Sequence, residues 1–169
     1  HSNLEDAYDD KAPEKAPKVS RPEREFLARI QNFSKREADN RSLGEAGETF
    51  VLQCEKFRLE KSGRSDLAKE VEWSSKDRGD GLGYDIRSFT LEANTKKESE
   101  LFIEVKTTNR GKYQAFYVSE NELEFSRKFA ENFALYRVYE MRKQARYFQL
   151  NGAIDQHVNL EPTTYRGSF

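Results

Sequence analysis

The stretch ELFIEVKTT, residues 100–108, sets the first constraint on the fold. Leu101, Phe102, Ile103 and Val105 form an apolar run of strand length, and Glu104 and Lys106 break it near its end. Burying an unpaired charge in a sheet is expensive, so these two need an environment that answers their charge. Positions two apart on a strand share a face. Glu104 and Lys106 therefore lie on one face, and Leu101, Ile103 and Val105 point to the core on the other. Both charges emerge together at one end of the sheet. The plain alternative is an ordinary ion pair on a half-wet sheet face.

The surrounding chain reads as alternating helices and strands. In NRSLGEAGETFVLQCEKFRLEK, Leu43, Gly47, Phe50, Val51, Cys54 and Phe57 recur every three or four residues, the stripe of an amphipathic helix. Glu45 and Glu48 lie three apart beside that stripe. KEVEWSS (69–75) alternates, with Val71 and Trp73 on one strand face, and KDRGDGLG (76–83) is a glycine-rich loop. YDIRSFTLEA (84–93) pairs with LFIEVKTT as a hairpin, and YQAFYVS (113–119) is a further strand candidate. Ser119 and Glu122 form the S-x-x-E pattern of a capping box. Leu123, Phe125, Phe129 and Phe133 follow as a second amphipathic helix, and 134–141 and 146–150 read as two closing strands around the basic turn Arg142, Lys143. The expected class is α/β (α+β), a layered domain.

The N-terminal residues 1–20, polar and holding two of the four prolines, read as a flexible linker or tag remnant. His1 stands before Ser2 with no initiator Met. Residues 21–41 read as an N-terminal helix and connection, with Phe26, Leu27, Ile30 and Phe33 on one face of a helix starting near Pro22. Residues 42–169 form the main domain.

Composition removes several classes of function. Lys and Arg number 29 against 30 Asp and Glu, a net charge of −1, so any nucleic-acid surface must be local. No apolar run spans a bilayer, so no membrane partner is expected. A single cysteine, Cys54, rules out an intramolecular disulfide and fits a cytoplasmic location, or a nuclear one in a eukaryote. A Cys/His metal site or a Ser-His or Cys-His nucleophile would rest on His157 alone. GDGLG lacks the Gly-Lys-Ser/Thr ending of a phosphate loop, and the stripe of Phe125, Phe129 and Phe133 reads as core.

What remains is a carboxylate set. By strand parity Asp85 lies opposite Tyr84 and Ile86, where it can meet Glu104 across the hairpin. Two adjacent carboxylates repel unless a cation stands between them, and Mg²⁺ favours oxygen ligands. Such an ion polarises a phosphoryl oxygen and lowers the pKa of its water. Lys106 can steer or help deprotonate that water, or neutralise charge developing on the phosphate. The E-x-K pair alone is weak, because Asp9–Lys11 in the polar tail matches it too. Asp77 and Asp80 are further possible ligands in the glycine-rich loop. Arg78, Arg110, Lys112, Arg127 and Lys128 flank the set in sequence. Arg78, Arg110 and Lys112, together with Gln114, are candidate substrate contacts.

The order helical Glu, strand Asp, then E-x-K resembles the PD-(D/E)xK nuclease superfamily. LGEAGETFVLQCEK, GLGYDIRSF, FIEVKTT, FYVSENELEFS and YRVYE more closely resemble the domain named after the C-terminus of the NO VEIN protein, over roughly residues 42–165. The resemblance implies a restriction-endonuclease-like core, a central mixed β-sheet flanked by helices. It implies a Mg²⁺-dependent DNA endonuclease, with Mn²⁺ as substitute, within a larger restriction, defence or repair protein. It places the catalytic residues at Asp85, Glu104, Lys106 and Glu48, with Asp85 and Glu104 on the metal and Glu45 as the other choice for the helical acid. Tyr84 stands where the superfamily's proline precedes the Asp. The implied partners are DNA, the other domains of a helicase or ATPase parent, and a second copy in a homodimer. The alternative is a catalytically inactive nucleic-acid-binding or interaction module of such a parent.

Overall fold

The computed structural model describes residues 3–17, 32–33, 35–79 and 81–169. Helix α1, Arg41–Lys61, opens on Asn40, whose side chain accepts a hydrogen bond from the Leu43 N–H at 3.1 Å. It ends at Ser62 and Gly63, where φ is +78° and a side chain would be strained. Its buried stripe of Leu43, Gly47, Phe50, Val51, Cys54 and Leu59 packs on one face of a four-stranded sheet, against Ile86, Ile103, Val105, Ala134 and Val138. Short helices α2 (Ser65–Glu70) and α3 (Ser74–Arg78) follow.

The sheet runs in the order β1 (Ile86–Leu91), β2 (Glu98–Thr107), β3 (Phe133–Tyr139), β4 (Arg146–Asn151). β1 and β2 are antiparallel, β2 and β3 parallel, β3 and β4 antiparallel. This mixed, helix-flanked sheet is consistent with a restriction-endonuclease-like core. A parallel pair needs a crossover, and helix α4 (Glu120–Lys128) with a 3₁₀ turn (Ala130–Asn132) supplies it. The capping box at Ser119 and Glu122 forms in full. Every residue of β3 is buried, as a central strand covered on both faces requires. The second face holds Phe133, Leu135, Tyr139, Phe148 and Leu150, covered by Phe116, Val118, Phe125 and helix α5 (Ile154–His157).

Four local expectations are corrected. Residues 69–75 are not a strand: 65–70 are helical, and only Glu72 bridges β1, exchanging two backbone bonds of 2.9 Å with Arg87. Leu67, Ala68 and Val71 are buried at helical spacing, which so short an alternation does not distinguish from a strand. Among the described residues, 113–119 pair with no strand of the sheet. Their alternating Phe116 and Val118 cover the second face instead. Phe133 begins β3 rather than ending α4. Residues 3–17 also depart from the linker reading, since Ala7 and Asp9 are buried. Asp9 N–H donates to the Tyr147 carbonyl at 2.7 Å, and Tyr147 N–H to that of Ala7 at 2.9 Å. The Asp9 carboxylate accepts from Tyr139 Oη at 2.8 Å and Lys112 Nζ at 3.0 Å. Phe26, Leu27 and Ile30 lie outside the described residues, while 35–38 are helical and Phe33 is half-buried.

Gly47 sets how closely α1 approaches β2. A Cβ there would stand 1.8 Å from Thr107 Oγ1, so only glycine permits the contact. Gly47→Ala is expected to cost about 1–3 kcal/mol of stability, seen as a lower urea midpoint with an unchanged slope.

Candidate active site

A cleft of about 860 Å³ opens at the end of β2. Glu104–Thr107 and Asp85 line it, with Glu48 from α1, Glu122 from α4, Arg137 from β3 and residues 161–166 of the C-terminal segment. The parity argument holds for the core side: Leu101, Ile103 and Val105 pack under α1. The charged face is drier than a sheet rim. Glu104 is 4% exposed, and α4 and residues 115–118 wall it in.

Asp85 stands one residue before β1, and the register Ile86↔Ile103 carries it beside Glu104. Its N–H donates to the Ile103 carbonyl at 2.8 Å, its own carbonyl accepts from Ser75 N–H at 3.0 Å, and its Oδ2 accepts from Val105 N–H at 2.8 Å. Burial, reinforced by the negative charge of Glu48, pushes its carboxyl up to about 7. Burial raises Glu104 well above the ordinary carboxylate range, with Asp85 and Glu122 adding to the rise and Lys106 opposing it. Lys106 Nζ lies 2.9 Å from Glu104 Oε1 and 2.8 Å from Glu122 Oε2. Burial disfavours its charge, but those two carboxylates outweigh burial and hold its pKa above the usual value. Lys106 is thus an ammonium, suited to neutralise charge and to donate. Taking a proton from water would first require those carboxylates to turn elsewhere.

Glu48 is held by α1 through the close Gly47–Thr107 contact. Its Oε2 accepts from Trp73 Nε1 and, at 2.9 Å, from Ser75 Oγ. Glu45 lies outside the cleft, so of the two helical acids Glu48 is the one beside Asp85. Asp85, Glu104 and Glu48 offer only oxygen, and two are destabilised as anions by burial and mutual repulsion. That donor chemistry suits a hard divalent cation. As they stand, no group of three or more Asp, Glu, His or Cys among the described residues is arranged to hold one. Lys106 and the Val105 N–H take up the carboxylate oxygens instead.

The weaker sequence candidates lie elsewhere. Arg78 pairs with Glu72 at 2.8 Å, Arg110 stacks 3.5 Å over Phe33, and Lys112 binds Asp9. Gln114 offers its backbone carbonyl to Arg137 rather than lining the cleft. Arg127 pairs with Asp155 at 2.8 Å, and Lys128 lies over the Phe129 ring. Asp77 is outside the cleft, and Asp80 lies outside the described residues. Glu122 and Arg137 line the cleft beside Lys106, and neither is among the sequence candidates. Glu122 is named by its capping box, which fixes it at the start of α4. Arg137 carries the signal that singled out Glu104, a charge inside an apolar strand.

The raised carboxylates make stability depend on pH with a definite sign. Between its ordinary value of 3.8 and about 7, Asp85 stays protonated when folded and ionises when unfolded. The native state then binds the extra proton, so stability falls as pH rises through that window. In EDTA, Asp85→Asn is expected to raise the thermal midpoint above that of the wild type at pH 8. The two should converge below about pH 4, read by circular dichroism across a pH series.

Among the described residues no helix is long and apolar enough to cross a membrane. No curated protein and no solved structure gives a significant match to the chain. The family model described as "Protein NO VEIN, C-terminal" matches residues 47–150, more than half of the chain, from the Gly47 contact in α1 to Leu150 in β4. The chain belongs to the NO VEIN C-terminal family.

Proposed function

We propose that this domain is a Mg²⁺-dependent deoxyribonuclease, the hydrolytic part of a larger protein whose helicase or ATPase domains bring it to DNA. The observation that carries the reading is the meeting of Asp85, Glu104 and Lys106 in one cleft, with Glu48 held beside Asp85. Asp85 and Glu104 would hold the ion, and Glu48 would orient a water. When bound, the ion supplies Lewis-acid polarisation of the phosphoryl oxygen and a water of lowered pKa. Lys106 donates to charge developing on the phosphate, and the cleft walls limit bulk water around it. The cleft is lined by seven carboxylates against three cationic side chains. A polyanion entering it needs added positive charge, which is a reason to favour metal-assisted chemistry over plain electrostatic binding.

A second reading is an interaction module without chemistry. Its support is the closed set of bonds around Lys106, which ties Glu104 to Glu122 and leaves the acids unassembled for a metal.

Incubation of single-stranded, duplex and branched DNA with the protein and Mg²⁺ or Mn²⁺ separates the two. Metal-dependent cleavage that falls about a hundredfold or more in Lys106→Ala is expected. Activity that survives the substitution overturns the assignment of Lys106. Salt-sensitive binding with no product at any metal concentration favours the second reading.

A further inference from the structure

Arg137 is 1% exposed, yet it is charged and lines the cleft. Its Nη2 donates to the Gln114 carbonyl at 3.1 Å, and its Nε is enclosed without a hydrogen-bond partner. The Phe116 ring lies 5.2 Å from the guanidinium. No carboxylate among the described residues forms an ion pair with it. Glu37 is the acid whose charge reaches it, but Glu37 spends its oxygens on Thr108 Oγ1 at 2.5 Å and Asn109 N–H at 2.9 Å. Burial lowers the guanidinium to about 10, so it remains a cation at neutral pH.

The contrast with other arginines is direct. Arg58, Arg64, Arg78, Arg87 and Arg127 each face a carboxylate, although each is more exposed. A buried cation without a paired anion carries a desolvation cost that one carbonyl, a ring face and the charge of Glu37 leave partly unmet. The register Lys106↔Arg137 between parallel neighbours puts it on the face of the catalytic set, one strand over. A planar guanidinium with unused donors matches phosphate oxygens better than any other side chain.

We propose that Arg137 is the phosphate seat of the cleft, donating to a backbone phosphate of the nucleic-acid strand from its unpartnered Nε–H. The seat rests on the hydrolase reading for the identity of its ligand, but binding needs neither metal nor cleavage. It distinguishes β3 as a substrate-positioning strand, while β2, α1 and the residue before β1 carry the reacting groups.

The test is a ¹H–¹⁵N spectrum of the arginine Nε–H groups of the whole chain in EDTA. The Arg137 resonance is assigned through bonds and confirmed by its loss in Arg137→Lys. Titration with a 5′-phosphorylated dinucleotide, and separately with inorganic phosphate, is expected to shift the Arg137 Nε–H saturably. Arg137→Lys, with its thermal midpoint checked, is expected to weaken dinucleotide binding about tenfold. An Arg137 Nε–H unmoved at dinucleotide concentrations that shift other cleft resonances overturns the seat. The two readings fail separately. Protein that cuts DNA with that resonance unmoved keeps the hydrolase and loses the seat. Protein that binds through Arg137 and cuts nothing keeps the seat and loses the hydrolase.

Discussion

The ion contact from Glu104 through Lys106 to Glu122 ties the sheet to its crossover helix. Glu122 Oε2 accepts from Lys106 Nζ at 2.8 Å and from the Ser119 N–H at 3.0 Å. One oxygen therefore caps α4 and anchors the end of β2. A capping bond is worth about 1 kcal/mol by itself. Its larger effect here is to aim a helix start at a strand end, so that the parallel β2–β3 pair and the cleft are built by one connection. Glu104, nearly enclosed, is tolerated because that connection supplies its cation.

A second buried acid shows what a purely structural carboxylate looks like. Glu55 is fully buried in α1 and accepts from Arg58 at 3.1 and 2.6 Å, Ser88 Oγ at 2.6 Å and Tyr136 Oη at 2.9 Å. Its donors come from α1, β1 and β3, and they leave little for it to bind. Glu104 has one cation beside it and other acids pressing on it. The difference between a satisfied acid and a crowded one separates scaffold from site in this fold, and it is visible only in three dimensions.

Much of the site was legible in the sequence because strand parity is a strong rule. It put Glu104 and Lys106 together and brought Asp85 beside them, and the register confirms that adjacency. The spacing of α1 left Glu45 and Glu48 open, since both flank the same stripe, and the Gly47–Thr107 approach separates them in the structure. Short segments were less legible. Residues 69–75 satisfy period two and period three to four alike, and the nearby Gly63 turn feeds them a helix. Residues 113–119 alternate like a strand, but their Phe116 and Val118 serve as a cover for the second face of the sheet. Arg78, Arg110 and Lys112 are near the site along the chain and away from it in space, a distinction that sequence order does not carry.

Both outer edges of the sheet have a short backbone guard. Glu72 exchanges two hydrogen bonds with Arg87 on the open side of β1, and Ala7 and Asp9 flank Tyr147 on the open side of β4. Bare strand edges are templates on which other chains can grow a sheet. The polar segment before α1 and the link between α2 and α3 thus work as end stops. They keep a small, charge-rich domain from extending its sheet into a neighbour.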